Sequence, residues 1–305
     1  MGEDGHKKRK TKITSAESAR HIGYALLLFL SFILGRFFAS SSCSSSSDSN
    51  PNIHNQLTTL QNQLDQFGQF TTQCSDPVPP ELVRRTILDR VFQSTSPYEN
   101  FPSEYVGDLL SPSRVKGWGS QAAVFEHLIK RVRPKTIIEI GTFLGASAIH
   151  MLNLTRQLGI DSQIVCVDDF RGWPGFRDKF KEIAMINGDV LLMQQFMQNV
   201  VSAGGSDSII PVPFSTGGAL DKLCEWGVFG DLIEVDAGHD FNSAWLDINR
   251  AYRILRSGGV LFGHDYFNGA DNRGVRRAVH LFAQLHDLKV IADGQHWIMG
   301  SVLIN

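Results

Sequence analysis

From Ala122 to the end of the chain, short continuous apolar runs alternate with longer stretches in which apolar residues recur every three or four positions. TIIEIG, QIVCVDD, SIIPVPF, GDLIEVDA and GGVLFGHDY are rich in β-branched residues and too short for helices. Their lack of alternation predicts strands covered on both faces. Between them AAVFEHLIKRV, ASAIHMLNLTRQL, QQFMQNVVSAG, AWLDINRAYRIL and RRAVHLFAQL carry the helical period. KVIAD and HWIMGSVLI close the chain as two further strands. Strand and helix in turn predict an α/β domain around a mostly parallel sheet. Ligands of such sheets sit beyond the carboxyl ends of the strands, so the informative residues should stand there.

The first eighty residues follow another pattern. A basic tail over residues 1–21, with Lys7, Lys8, Arg9, Lys10, Lys12 and Arg20, precedes an apolar run from Ile22 to Phe38 whose one charge is Arg36. As a helix that run spans about 26 Å, slightly short of a hydrocarbon core, and snorkelling by Arg20 and Arg36 makes up the difference. Residues 22–38 therefore read as a transmembrane signal anchor. A signal peptide cleaved in Ala39-Ser40-Ser41 is the alternative. No Lys or Arg occurs from Phe37 to Val83, so the positive-inside rule leaves the tail in the cytosol and the rest across the membrane. That topology is a single-pass type II protein of the secretory pathway, in the Golgi rather than the endoplasmic reticulum. His6 stands where a myristoylation signal needs Ser or Thr.

Residues 39–80 form a linker and stem. Ser41 to Asn52 is too polar to bury a core. Ile53, Leu57, Leu60, Leu64, Phe67 and Phe70 then make a coiled-coil-like stripe, weakened by Gly68. It reads either as a homodimerising stem or as a helix packed on its own domain. Pro77 to Pro80 mark the boundary, which leaves 81–305 as the main domain. Four cysteines are too few for a disulfide framework; Cys43 and Cys74 flank the stem and suit interchain disulfides, while Cys166 reads as a buried thiol. The sequon Asn153-Leu154-Thr155 falls on a predicted helix and reads as unmodified. A net charge of -2 over 305 residues gives no sign of a nucleic-acid partner.

Four strand ends carry the chemistry. After the first, Glu139, Gly141 and Gly145 form an E-x-G-x-x-x-G turn whose glycines admit a ligand to the helix N-terminus, with Ser147 placed to add a hydroxyl donor. Phe143 breaks the G-x-G-x-x-G pattern of dinucleotide enzymes, which argues against a dehydrogenase. After the second, Asp168 or Asp169 can accept from the hydroxyls of a ribose. Asp236 and His239 follow the fourth strand, and His264 and Asp265 follow the fifth. Two His-Asp groups on neighbouring strand ends suit acid–base work or a hard metal.

Taken in order, IIEIGTFLGASAIHM, IVCVDDF, FMQNVVSAGGSDSIIPVPFS, DLIEVDAGHDFNSAWLDINRAYRILRSGGVLFGHDY and GVRRAVHLF resemble a class I S-adenosylmethionine-dependent methyltransferase. The resemblance is to the branch called methyltransferase family 24, related to catechol O-methyltransferase, and it covers Gly117 to Asn305. It implies a Rossmann-like doubly wound sheet and transfer of a methyl to a hydroxyl of a small-molecule acceptor; the lumenal topology alone adds a glycan as the acceptor. It further implies that Gly141, Gly145 and Ser147 cradle the methionine end of S-adenosylmethionine, with Glu139, Thr142 and Phe143 also in the cofactor site. Asp168 would hold the ribose, Ser215 would lie near the adenine, and Asp236 would face the reaction centre. The catechol enzymes have a lysine base where this chain has His239, and an Asp-Asn metal pair where it has His264-Asp265. Catalysis is thus assigned to His239, Asp236 and Asp265. A site for Mg²⁺ or another divalent cation at Asp236, His264 and Asp265 stays open beside a metal-free reaction. A catalytically inactive module used for membrane-anchored assembly is the remaining rival.

Overall fold

The computed structural model describes residues 73–300. The basic tail, the apolar run 22–38 and the stripe from Ile53 to Phe70 lie outside them, as does Cys43. Among the described residues no helix is long and apolar enough to cross a membrane.

A 3₁₀ turn, Pro80–Leu82, leads into α1 (Val83–Val91) and the short α2 (Glu104–Gly107). The alternating part follows as α3 (Ala123–Val132), β1 (Thr136–Ile140), α4 (Ala146–Gln157), β2 (Gln163–Val167) and α5 (Phe176–Lys179). A small hairpin, β3 (Met185–Ile186) with β4 (Asp189–Val190), precedes α6 (Leu192–Ser202), β5 (Ile209–Val212), α7 (Thr216–Glu225) and β6 (Gly230–Val235). The chain continues through α8 (Phe241–Arg253), β7 (Leu255–Gly263), α9 (Ala270–Leu285), β8 (Ile291–Asp293) and β9 (His296–Gly300).

Among the described residues, seven strands form one sheet in the order β5-β2-β1-β6-β7-β9-β8. All pairings from β5 to β7 are parallel, while β9 runs antiparallel to both β7 and β8. The order reverses between β1 and β6, which creates the crevice where doubly wound sheets bind their ligands. Every residue of β1 is buried. Ile138 and Ile140 face the core shared with α7, α8 and α9, and Ile137 faces the one shared with α3, α4 and α6. Each such fully buried side chain contributes roughly 1.5–3 kcal/mol.

Helix α7 escapes a reading by periodicity because Gly217-Gly218 in its first turn lowers helix propensity. Tertiary packing overrides that, since Ala219, Leu220, Leu223 and Cys224 are buried against the sheet. The cysteine expectation also needs correction. Cys74 is bonded to Cys224 within the chain rather than held for a partner. The segment before α1 zips along the end of α7, with Ser75 N donating to Cys224 O and Val78 N to Gly227 O. Cys166 is the buried thiol expected. Thr155 of the sequon is buried and donates to Leu152 O inside α4, a setting unlike the surface loops that are glycosylated.

The disulfide joins cysteines 150 residues apart, so it removes much entropy from the unfolded chain. Cys74→Ser should lower the unfolding free energy by about 2–5 kcal/mol in non-reducing denaturant melts. An unchanged midpoint would mean that the bond does not form in solution.

Candidate active site

Where β1 ends, the chain turns through Gly141 at φ +90° and starts α4 after Gly145 at φ +80°. Only glycine adopts such angles freely. Gly141 has a second reason to be glycine: a first side-chain carbon there would lie 2.1 Å from the Asp236 carbonyl oxygen. The turn is thereby pressed against the end of β6, and Asp236 N donates to Ile140 O at 2.8 Å across the switch point.

Glu139 holds this turn from below. It is fully buried and accepts from Thr142 Oγ1 (2.7 Å), from Ser147 Oγ and from Cys166 Sγ (3.3 Å). Ser147 was expected to offer its hydroxyl to a ligand; the structure gives it to Glu139, and Thr142 likewise. The strand register sets Glu139 beside Glu234 of β6, whose Oε2 is buried without a partner. Burial, reinforced by the neighbouring carboxylates, pushes both acids up.

Asp168 at the end of β2 points back at the turn. Its Oδ2 accepts from Phe143 N at 2.8 Å and its Oδ1 from Phe170 N at 2.7 Å. Burial moves its carboxyl up against those hydrogen bonds. Asp169, next to it, is exposed and accepts from Arg171 N at 3.0 Å. Ser215 precedes α7, exposed, with its hydroxyl uncommitted to the helix N-terminus.

The four residues after β6 and β7 do converge. Asp265 Oδ2 lies 2.8 Å from His239 Nε2 and 3.5 Å from His264 Nδ1, and Asn268 Nδ2 donates to Oδ1 at 2.9 Å. Asp236 Oδ1 stands 3.9 Å from His239 Nε2 and 3.8 Å from His264 Nδ1. Asp236, His239, His264 and Asp265 line one small pocket with Trp297 at its back. Strand β7 stops at Gly263, three residues before the run GGVLFGHDY ends, and Asp265 sits at φ +60°. Backbone strain of this kind, about 1–3 kcal/mol, is kept where surroundings over-determine it.

The charges follow from that geometry. Burial works against Asp265, yet the hydrogen bonds from His239, His264 and Asn268 outweigh it and hold its carboxyl far below the usual range. The same bond from Asp265 raises His239, against the cost of burial. His264 is pushed down by burial, but Asp265 and Asp236 raise it overall. Asp236 is pushed up to about 7 by burial, with both imidazoles pulling the other way. His296, buried behind His264 with ring centroids 4.7 Å apart, is pushed down to about 4, chiefly by burial.

These shifts give the fold a pH signature. Glu139, Glu234 and Asp236 have raised pKa values, so each costs stability once pH passes its unfolded value, increasingly until the folded value is passed. The raised histidines His239 and His264 stabilise fully below about 6.5 and lose that contribution as pH rises through their folded values. Both sets act in one direction between pH 6 and 8, and the depressed His296 opposes them only below about pH 7, where its unfolded form still binds protons. The melting temperature should therefore be higher at pH 6.5 than at pH 8 in a buffer series; a higher value at pH 8 would contradict these assignments.

Sequence reasoning missed Asn268, which steadies Asp265, and His296. A strap, residues 117–120, also runs against the site. Gly119 lies against His264, since a first side-chain carbon there would sit 2.6 Å from Nε2. The spacing of Asn268 three residues beyond Asp265 was a usable signal; nothing local marked His296.

The glycine cradle suits a bound small molecule carrying an anionic end, because α4 offers free N–H groups there. For a metal the donors are Asp236, His239 and Asp265, with ligand atoms within 4.8 Å of one another. The set fits Mg²⁺ badly: it mixes imidazole with carboxylate, and the atoms that would bind an ion already bind each other.

Among solved structures, a candidate O-methyltransferase of Klebsiella pneumoniae is similar at 19% identity and a TM-score of 0.44, over 73% of this chain and 90% of that one. The O-methyltransferase of Bacillus cereus in complex with SAH is similar at 18% and 0.44, over 71% and 95%. TomG of Streptomyces achromogenes, an O-methyltransferase involved in tomaymycin synthesis and bound to SAM, is similar at 16% and 0.45, over 77% and 93%. Likeness at this level says nothing of activity. No curated protein matches the chain in sequence. Residues 138–266, from the middle of β1 to the residue after Asp265, match the family model of a methyltransferase domain.

Proposed function

We propose that the chain is an S-adenosylmethionine-dependent O-methyltransferase whose base is His239. The observation that carries this reading is the His239–Asp265 contact at 2.8 Å, set beside Asp236 and one strand away from the glycine cradle. When bound, S-adenosylmethionine supplies an electrophilic methyl on a positively charged sulfur.

The chain's own residues do the rest. Gly141 lets the turn close against the end of β6 and Gly145 lets it press on the buried Phe196 ring, and the N-terminus of α4 receives a carboxylate. Thr142 and Ser147, tied to Glu139, fix the turn's shape. Asp168 fixes it from the other side through Phe143, and Asp168 or the freer Asp169 takes the ribose hydroxyls. Ser215 is left for the adenine end. Asp236, a quarter exposed, faces the reaction centre. In the tautomer that donates Nε2–H to Asp265, His239 keeps Nδ1 free to take the acceptor's hydroxyl proton. Asp265 fixes the ring and stabilises the imidazolium that forms. Positioning and proton removal then share the acceleration.

The acceptor is a hydroxyl in the secretory pathway, a glycan or a small molecule. The Cys74–Cys224 bond supports an oxidising compartment, in line with residues 22–38 as an anchor and a lumenal domain. Full-length protein should bind S-adenosylmethionine in titration calorimetry, and protease added to sealed microsomes should spare the domain. Absence of binding would favour the inactive assembly module, and digestion in intact vesicles would reverse the topology. The Asp236-His239-Asp265 grouping supports one second reading, in which a divalent ion orients the acceptor. Turnover abolished by EDTA and restored by one cation would establish it.

A further inference from the structure

The two most exposed tryptophans of the domain stand at the rim of the cofactor cradle. Trp118 is 52% and Trp173 39% exposed, with ring centroids 6.1 Å apart at 67°. Both lean on Phe143 of the glycine turn, at 5.6 and 5.5 Å. Trp118 also precedes Gly119, which lies against His264 of the acid–base pocket. The indoles are thus held between the place of the methyl donor and that of the base. Each carries some 150–250 Å² of surface, and the half or two-fifths of it left in water forfeits hydrophobic stabilisation that a partner could recover.

The charge around them is mainly positive, in a chain whose net charge is -2. Lys116 reaches over the Phe180 ring at 4.9 Å from its centroid. Arg171, Lys179 and Lys181 come from the segment that follows β2 and bears Trp173, and all are exposed. None of these four cations has an ion-pair partner among the described residues. The exposed carboxylates interspersed with them are Asp169 and Asp178, while Glu182 is taken by Arg114 at 3.1 Å.

We propose that this rim binds the acceptor and that the acceptor is an acidic saccharide, a chain of uronic-acid residues. The proposal rests on the methyltransferase reading above. Pyranose rings present apolar C–H faces to the indoles, their carboxylates match the unpaired cations, and their hydroxyl edges supply what His239 would deprotonate. Charge complementarity selects this occupant over a neutral sugar.

The test uses the full-length protein in detergent, saturated with S-adenosylhomocysteine. An oligogalacturonide and a malto-oligosaccharide of equal length are titrated by calorimetry and by tryptophan fluorescence. The uronide should bind and quench, the neutral sugar should do neither, and affinity should fall at least about tenfold between 50 and 300 mM salt, as charge pairing demands. Lys179→Glu with Lys181→Glu should weaken uronide binding by a similar factor, and Trp118→Ala with Trp173→Ala should abolish it in calorimetry. Separate titrations with S-adenosylmethionine should be unchanged in the Lys179→Glu/Lys181→Glu variant. Equal binding of the neutral sugar, indifference to the variants, or tighter binding of phosphatidylserine vesicles or an oligonucleotide would overturn the proposal. A protein that binds S-adenosylmethionine but not the uronide defeats this inference alone. One that binds no S-adenosylmethionine defeats the reading beneath it.

Discussion

His239→Ala should lower turnover roughly 10²–10⁴-fold, the range for loss of a general base, while affinity for S-adenosylmethionine stays nearly intact. Two features of the structure separate those effects. His239 is exposed and bonded to Asp265 on the β7 side of the pocket, whereas the cradle is built from the turn after β1. Its pH dependence should carry the same signature. A base must be neutral to act, and Asp265 raises the pKa of His239, so activity should climb through a limb above the usual imidazole value. Asp265→Asn removes the carboxylate that raises it, and that limb should move to lower pH as the maximal rate falls. Single-turnover methyl transfer measured across pH would check both. Near-normal turnover in His239→Ala, or an unmoved limb in Asp265→Asn, would remove this pair from the chemistry.

That pair was legible in the sequence because each member follows an apolar run that had to be a strand. Once β6 and β7 are neighbours, VDAGHD and GHD must meet at one edge, and they do. The sheet was legible for the same reason, since buried parallel strands cannot hide among polar residues. What stayed hidden depended on where side chains turn once the chain has folded. No spacing indicates that Cys74 reaches Cys224, or that Ser147 turns inward to Glu139 instead of outward to a ligand. Asp168 is the instructive case. The residue type and its place at the end of β2 fit a ribose, yet its carboxylate spans the backbone of Phe143 and Phe170. An acid at a strand end can steady the loop that binds as well as the ligand itself, and sequence cannot divide the two roles.

The glycine turn offers the sharpest structural test. An alanine at Gly141 would have to adopt φ near +90° and place its Cβ 2.1 Å from the Asp236 carbonyl oxygen. The left-handed backbone costs roughly 1–2 kcal/mol and the overlap a further 1–3 kcal/mol. The oxygen cannot retreat cheaply, because the Asp236 amide is bonded to Ile140 O and the strand behind it is packed on both faces. Gly141→Ala should therefore lower the unfolding free energy by about 2–5 kcal/mol, the sum of those two costs. It should also separate β1 from β6 at the edge where the cradle and Asp236 adjoin, so that S-adenosylmethionine binding is lost even in the folded fraction. Gly258→Ala is the matched control. Gly258 has φ +80° with nothing within 4 Å of its added carbon, so only the backbone cost applies there. Denaturant melts and titration calorimetry on the two variants would then separate backbone strain from the clash at Asp236. Equal losses in both, with cofactor affinity retained in Gly141→Ala, would mean that the two strand ends do not meet as closely as the structure has them.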